Sequence, residues 1–385
     1  MRARGETSSV AAEMSAMLFL TLLALLGSTT AKRLAVSGTD LTYGGEKVFL
    51  NGANIAWNSY GYDFGNGNYN GVLETWVQEI GNAGGNSIRI WVHVEGDSTP
   101  IYDDNGFVTA CDRTGNFEND VLSLLDAAEA SDVVVDLCMW NGAVMRNQKT
   151  IDMIYDDAKL DSYIENCLTS LMDKIKGHPA LGSFDAVNEA EGSVKIESNS
   201  DPCYDTTLIG QQGAGWTGDN IPIERWLRFI GRQNQAVRAL DPETLITIGS
   251  WSQFSENDVF PSSHNHYTDE CLNQAAGGSG AEIDFYQMHS YDWQGAWTTG
   301  APFTVAASDY NLDKPIVIGE FSSACAAGTS LPDLFEYAYT KGYSGAWTWH
   351  YAATGDCSDT RDTQLAGFGH LSGRTDYGLV DFTVE

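Results

Sequence analysis

The chain reads as an α/β protein: a (β/α)8 TIM barrel with a small N-terminal β-hairpin and long βα loops. Three observations predict this. Eight short apolar or β-branched runs recur, at residues 49–55, 86–92, 133–139, 181–187, 245–248, 283–288, 315–318 and 345–349. Helical periodicity separates most of them, at 72–83, 117–130, 160–176, 223–240 and 331–340. No Gly-rich phosphate loop follows the first run, which disfavours the runner-up, an open doubly wound sheet.

Residues 34–48 alternate apolar and polar side chains around the breaks Ser37-Gly38 and Gly44-Gly45, the pattern of a hairpin able to plug the bottom of the barrel. Lys176-Gly177-His178-Pro179 ends the third helix. Pro222 suits the first turn of the fourth, and Asp241-Pro242 stops it, because proline cannot continue the hydrogen-bond ladder. The helix after 245–248 is weakly marked, and 304–309 is expected to form only a short turn.

Residues 1–31 carry Arg2 and Arg4, a ten-residue apolar run at 17–26 and then small residues, the order of a secretory signal cut after Ala31. A bilayer span needs about 20 residues, so no membrane anchor is expected. Without a linker or repeat, 32–385 reads as a single catalytic domain of a secreted, monomeric protein. The net charge of −31 (21 basic against 52 acidic residues) excludes nucleic acid and anionic membranes as partners and tolerates a neutral polymer.

Seven cysteines leave at least one without an intrachain partner. Cys325 and Cys357 follow neighbouring late strands, and Cys203 and Cys271 sit in long loops on one face. Both pairs are expected disulfides. Cys138, inside a strand-like run, is the expected buried thiol. No C-x-x-C occurs, and His264-Asn265-His266 lies in a Ser/Asn-rich loop, so neither metal nor other cofactor is expected.

Glu189 and Glu320 each close an apolar run, the place where a β/α barrel puts its chemistry. Two carboxyls facing each other are what glycosidic cleavage requires. Asn54, Arg89, Trp140-Asn141, Asn188, Trp251, His289, Tyr291 and Trp349-His350-Tyr351 also follow or sit in strand runs and would open onto the same face. One carboxylate must attack the anomeric carbon, and Arg89 or Tyr291 could hold Glu320 ionised for that task. The other must protonate the leaving oxygen, and burial near Glu320 would raise Glu189 accordingly. Asn188 suits the sugar 2-hydroxyl, and Trp349 offers a flat face to the ring. Trp57 and Trp140 are further stacking candidates, whereas Trp216 and Trp226 read as structural.

The ordered set Asn188-Glu189, His289-x-Tyr291, Ile318-Gly319-Glu320 and Trp349, with Arg89 upstream, resembles glycoside hydrolase family 5, and within it the secreted β-mannanases of molluscs and other invertebrates. The likeness spans residues 34–378. It implies a retaining endo-acting enzyme with Glu189 as acid/base and Glu320 as nucleophile, acting on mannan, glucomannan and galactomannan. It assigns Arg89, Asn188, His289, Tyr291 and Trp349 to sugar binding and nucleophile support. Many members carry a histidine after the third strand where this chain has Trp140-Asn141, and Trp140 is expected to serve there as a sugar platform. The alternatives are an endo-β-1,4-glucanase of the same kind, a carbohydrate-binding barrel without catalysis, and a metal-dependent barrel enzyme.

Overall fold

The computed structural model describes residues 32–351 and 355–385. The signal segment read at 1–31 lies outside the described residues. The described residues open with a three-stranded antiparallel sheet of β1 (Leu34–Ser37), β2 (Asp40–Tyr43) and β3 (Glu46–Lys47), one strand more than the hairpin expected. Leu34, Leu41 and Tyr43 are buried beneath it. Arg33 grips Asp241 with Nη1 at 2.9 and 2.6 Å from the two carboxyl oxygens, and the Tyr43 hydroxyl reaches the Pro179 carbonyl at 3.5 Å. Asp241 and Pro179 lie just before barrel strands, so the sheet covers the barrel's N-terminal end.

The barrel follows, with β4 (Leu50–Ala56) and β5 (Ser87–Val94), then a side hairpin of β6 (Ile101–Tyr102) and β7 (Val108–Ala110). It continues with β8 (Val134–Asn141), β9 (Leu181–Asn188), β10 (Leu245–Ser250), β11 (Tyr286–His289), β12 (Ile316–Phe321) and β13 (Gly345–Thr348). Eight parallel strands close the ring, β13 pairing back to β4. Every residue of these strands is buried, as expected where helices cover a parallel sheet outside and side chains fill it inside.

Register slips cluster towards the strands' C-terminal ends, between Asn54 and Ala56, Trp91 and Val94, Thr247 and Gly249, and Met288 and His289. Such bulges re-aim side chains beside active sites. Pleat alternation also fails along β8 and β9. Cys138 and Asn141 are three residues apart, as are Asp185 and Asn188. Yet Cys138, Asp185 and Asn188 all touch Arg89, and Asn141 touches Asn188.

Four predicted helices appear where expected, as Val72–Asn82, Phe117–Glu129, Ile223–Leu240 and Leu331–Thr340. Pro222 is the N-cap of its helix and does not lie within the first turn. The segment 160–176 is interrupted: Asp157–Tyr163 and Thr169–Ile175 flank a π-turn at Ile164–Leu168. The weakly marked helix is Asp269–Ala276, capped by the Thr268 side chain and stopped by Gly277 at φ 78°. Three helices among the described residues lacked a readable pattern, the single turn Thr207–Gly210 and two longer ones. Gln148–Tyr155 spans about two turns, and Arg361–Leu371 carries Gly367 and Gly369 in its interior. Among the described residues no helix is long and apolar enough to cross a membrane.

Cys203 pairs with Cys271 and Cys325 with Cys357, the two linkages read from the sequence. Cys111–Cys167 is a third, unforeseen because the π-turn that carries Cys167 towards the β6–β7 hairpin leaves no sequence signature. Cys138 is free and buried.

Candidate active site

Strand ends deliver the site. Glu189 directly follows β9, in the left-handed region at φ 48° and ψ 50°. A non-glycine residue there is strained by roughly 1–3 kcal/mol. Its N–H donates to the Gly249 carbonyl at 2.6 Å, which fixes the turn to the neighbouring strand. Glu320 lies within β12 with its register partner His289 on β11. One oxygen of each carboxyl and a ring nitrogen of His289 all lie within 4.8 Å of one another.

The two carboxyls have different partners. Glu320 Oε1 accepts from Arg89 Nη1 at 2.9 Å, and its Oε2 accepts from the Tyr291 hydroxyl at 3.0 Å. Glu189 Oε1 lies 2.7 Å from His289 Nδ1, which is 3.6 Å from Glu320 Oε2. Glu189 keeps 19% of its side-chain surface open, Glu320 only 6%. Burial pushes Glu189 up to about 7, opposed by the Arg89 charge. Burial raises Glu320 too; a protonated His289 would pull it down, Glu189 pushes it up, and Arg89 and Tyr291 pull it down. Burial takes His289 down to about 4, so at neutral pH it is uncharged and offers either carboxyl a hydrogen bond, with no ion pair. What distinguishes the carboxyls is therefore Arg89 and Tyr291, which serve Glu320 directly.

Arg89, fully buried in β5, is the hub. Besides Glu320 it binds Asp185 Oδ2 through Nε at 2.9 Å and Nη2 at 2.8 Å, Asn54 Oδ1 at 3.1 Å and Asn188 Oδ1 at 3.0 Å. Asn188 Nδ2 donates to Asn141 Oδ1 at 3.2 Å, and Asn141 Nδ2 donates to Glu95 Oε1 at 2.8 Å. Glu95 also accepts from the Tyr60 hydroxyl at 2.5 Å. Trp57, half-buried, packs edge-on against Tyr60, Trp91 and Trp349, with ring centres at 4.7, 5.2 and 5.7 Å. Trp349 is likewise half-buried, and the group gathers residues in or just after β4, β5 and β13.

Trp140 does not join it. It is 2% exposed, its Nε1 donates to Gln233 Oε1 at 3.0 Å, and its ring meets His93, Tyr163 and Phe229. The expected sugar platform is thus a packing residue. The break in alternation along β8 turns Asn141 inward and sends Trp140 to the helix layer. Trp226 is buried as read, but Trp216 is 47% exposed and sits edge-on to Trp251 at 6.0 Å, contrary to its structural reading. His264 pairs with Asp258 at 2.7 Å and His266 Nδ1 lies 3.0 Å from the Cys203 carbonyl oxygen, so both histidines brace the loop.

Glu189, His289 and Glu320 stand close enough to share a cation. The Arg89 guanidinium already occupies Glu320, and a second positive charge beside it would be repelled. The sequence reading missed Asp185, Glu95 and Tyr60. Asp185 had a visible signal, an acid inside an otherwise apolar strand run. Glu95 and Tyr60 lie in loops without one.

A closed parallel barrel with this carboxyl pair at the C-terminal ends of β9 and β12 defines a barrel glycoside hydrolase. No protein-family model matches the chain. A mannan endo-1,4-β-mannosidase of Cryptopygus antarcticus is 43% identical over 347 residues, covering 89% of this chain and 91% of that protein. The mannan endo-1,4-β-mannosidase of Mytilus edulis is 41% identical over 373 residues, covering 95% of this chain and 100% of that protein. The crystal structure of β-1,4-D-mannanase from Cryptopygus antarcticus matches with a TM-score of 0.90 at 42% identity, covering 92% of this chain and 100% of the other. The chain belongs to the mannan endo-1,4-β-mannosidase family of invertebrates.

Proposed function

We propose that the protein is a secreted, retaining endo-β-1,4-mannanase that cleaves internal bonds of mannan, glucomannan and galactomannan. The observation that carries this reading is the pair Glu189 and Glu320, one oxygen of each lying within 4.8 Å of the other. That proximity supports retention, which uses a separation of about 5–5.5 Å, over inversion at about 6.5–9.5 Å. Glu320 attacks the anomeric carbon and forms a glycosyl ester as the C–O bond to the leaving sugar breaks. Glu189, held protonated by burial, gives its proton to that leaving oxygen. Glu189 then takes a proton from water, whose oxygen attacks the same carbon and releases Glu320. Arg89 and Tyr291 stabilise the Glu320 carboxylate, and Asn188 and His289 line the sugar site. Trp57 and Trp349 supply stacking faces.

Residues 1–31 act as the signal and 32–385 as one catalytic domain, working as a monomer without a cofactor. Disulfides at Cys111–Cys167, Cys203–Cys271 and Cys325–Cys357 support an oxidising destination. The preference for mannan over glucan rests on the relatives' activities. The test is sugar release from galactomannan, glucomannan and carboxymethyl cellulose, with the wild type and Glu320→Gln. Release from the two mannans, lost in the variant, is expected. Activity confined to the cellulose derivative would favour an endoglucanase, and unchanged release by Glu320→Gln would remove the catalytic reading.

A further inference from the structure

We propose that Asp185 is a positioning residue for this reaction: it clamps one edge of Arg89 so that the opposite guanidinium nitrogen faces Glu320. The inference rests on the reading of Glu320 as nucleophile. A guanidinium has five N–H donors in a fixed plane. Here each has an acceptor. Nε donates to Asp185 Oδ2, and Nη2 donates to Asp185 Oδ2, to Asn188 Oδ1 and, at 3.4 Å, to the Cys138 sulfur. The Nη1 hydrogens go to Asn54 and Glu320. Asp185 alone takes two of the five, from a position three residues before Asn188 on β9, and so sets the plane in which Nη1 must lie.

Asp185 is itself held. Its Oδ1 accepts from the Gly249 N–H at 3.1 Å, and its Oδ2 also accepts from Gln287 Nε2 at 3.3 Å. Gly249 has a second duty. A Cβ there would stand 2.3 Å from Arg89 Nη2 and 3.2 Å from Asp185 Oδ2, so only glycine leaves room for the clamp. The same residue's carbonyl receives the Glu189 N–H at 2.6 Å. One glycine on β10 therefore seats the arginine that serves Glu320 and anchors the strained backbone that presents Glu189.

Asp185 could act in two ways with opposite signs. As a mere counter-charge, it would dilute the pull of Arg89 on Glu320, and removing it would lower the Glu320 pKa. As a positioner, its loss lets the guanidinium drift, and the Glu320 pKa rises. The charged and titratable groups around this cluster are Asp136 and Cys138 on β8, Glu189 after β9, Glu256 after β10, Tyr267 in the loop beyond, His289 and Tyr291 at β11, and Glu320 on β12. None of them changes in Asp185→Asn or Gly249→Ala.

Asp185→Asn keeps the acceptor for Gly249 and replaces Oδ2 by an amide donor facing three other donors, Nε and Nη2 of Arg89 and Nε2 of Gln287. The readout is hydrolysis of an aryl β-mannobioside with a good leaving group, across pH and normalised to sites trapped by a 2-fluoro-mannoside. We expect kcat to fall about 10–100-fold, the loss of one charge-assisted hydrogen bond, with KM little changed. The acidic limb of kcat/KM should move up by about half a pH unit or more. A limb that stays or moves down, with kcat within about threefold of wild type, overturns the proposal, even if Tm drops. Gly249→Ala displaces Arg89 with the Asp185 charge intact and should move the limb the same way; it decides the matter if Asp185→Asn does not fold. Glu320→Gln is run alongside. If it stays active, the nucleophile reading fails. If it is inert while Asp185→Asn matches wild type, only the clamp fails.

Discussion

The Tyr291 hydroxyl donates to Oε2 of Glu320 at 3.0 Å, the oxygen that the Arg89 hydrogen bond leaves free. Both Glu320 oxygens thus face a donor, which holds the carboxyl in one rotation. Tyr291→Phe removes a hydrogen bond to a charged group, a loss of about 1.5–3 kcal/mol. The expected fall in kcat/KM is about 10–150-fold. The acidic limb should shift upward, because a group that lowers the Glu320 pKa is gone. Steady-state kinetics from pH 3 to 9 check both.

Glu189 titrates near 7 in the folded protein, so the proton donor is lost as pH rises through that value. Polymer hydrolysis should show a basic limb in kcat/KM there. Glu189→Gln should abolish the limb and cut polymer hydrolysis by about 10²–10⁴-fold. Ester formation from an aryl mannoside with a good leaving group needs no such proton and should be largely spared, as a burst of phenol in rapid-mixing experiments would reveal.

The same raised pKa sets a stability slope. Between the ordinary value of 4.5 and about 7, the folded state holds more protons at Glu189 than the unfolded chain does. Stability from this residue is fully present below pH 4.5, declines as pH rises and is lost above 7, by about 3 kcal/mol. Glu189→Gln mimics the protonated side chain. Calorimetry should therefore show a higher Tm than wild type at pH 8 and the same Tm at pH 4.

Trp140 is buried against His93, Tyr163 and Phe229, far better packed than a sugar platform allows. Trp140→Ala should destabilise by about 3–5 kcal/mol. Trp140→Phe should fold and retain KM for manno-oligosaccharides, whereas Trp57→Ala should raise KM with little loss of Tm. Paired thermal melts and kinetics distinguish these outcomes.

The Cys111–Cys167 bridge spans 56 residues and fastens the β6–β7 hairpin to the π-turn. The double change Cys111→Ala with Cys167→Ala should cost about 2–4 kcal/mol in a denaturant titration. A non-reducing peptide map should show this linkage with the other two, and Cys138 should react with a thiol reagent only after unfolding.

The strand–helix rhythm and the two glutamates were legible because apolar runs and strand ends are local signals. His289 and Tyr291 sit at or just past such an end as read, and Arg89 lies inside its strand, β5, as read. Trp140 was misassigned because the reading assumed regular alternation, and the irregularity between Cys138 and Asn141 arises from barrel closure, which no local pattern carries. Asp185 was passed over as one acid in an apolar run; its meaning depends on Arg89, 96 residues away in sequence. Trp216 was given a structural role because its loop carries no period that would turn it outward.

The Lys32 amide donates to the Glu385 carbonyl at 2.8 Å, on the side of the barrel opposite the glutamates. Residues 32 and 385 are therefore adjacent and remote from the glutamates. A short peptide could splice them together and new ends could be opened elsewhere. A tether fixed at either residue would hold the molecule on a solid support with its two glutamates facing the liquid.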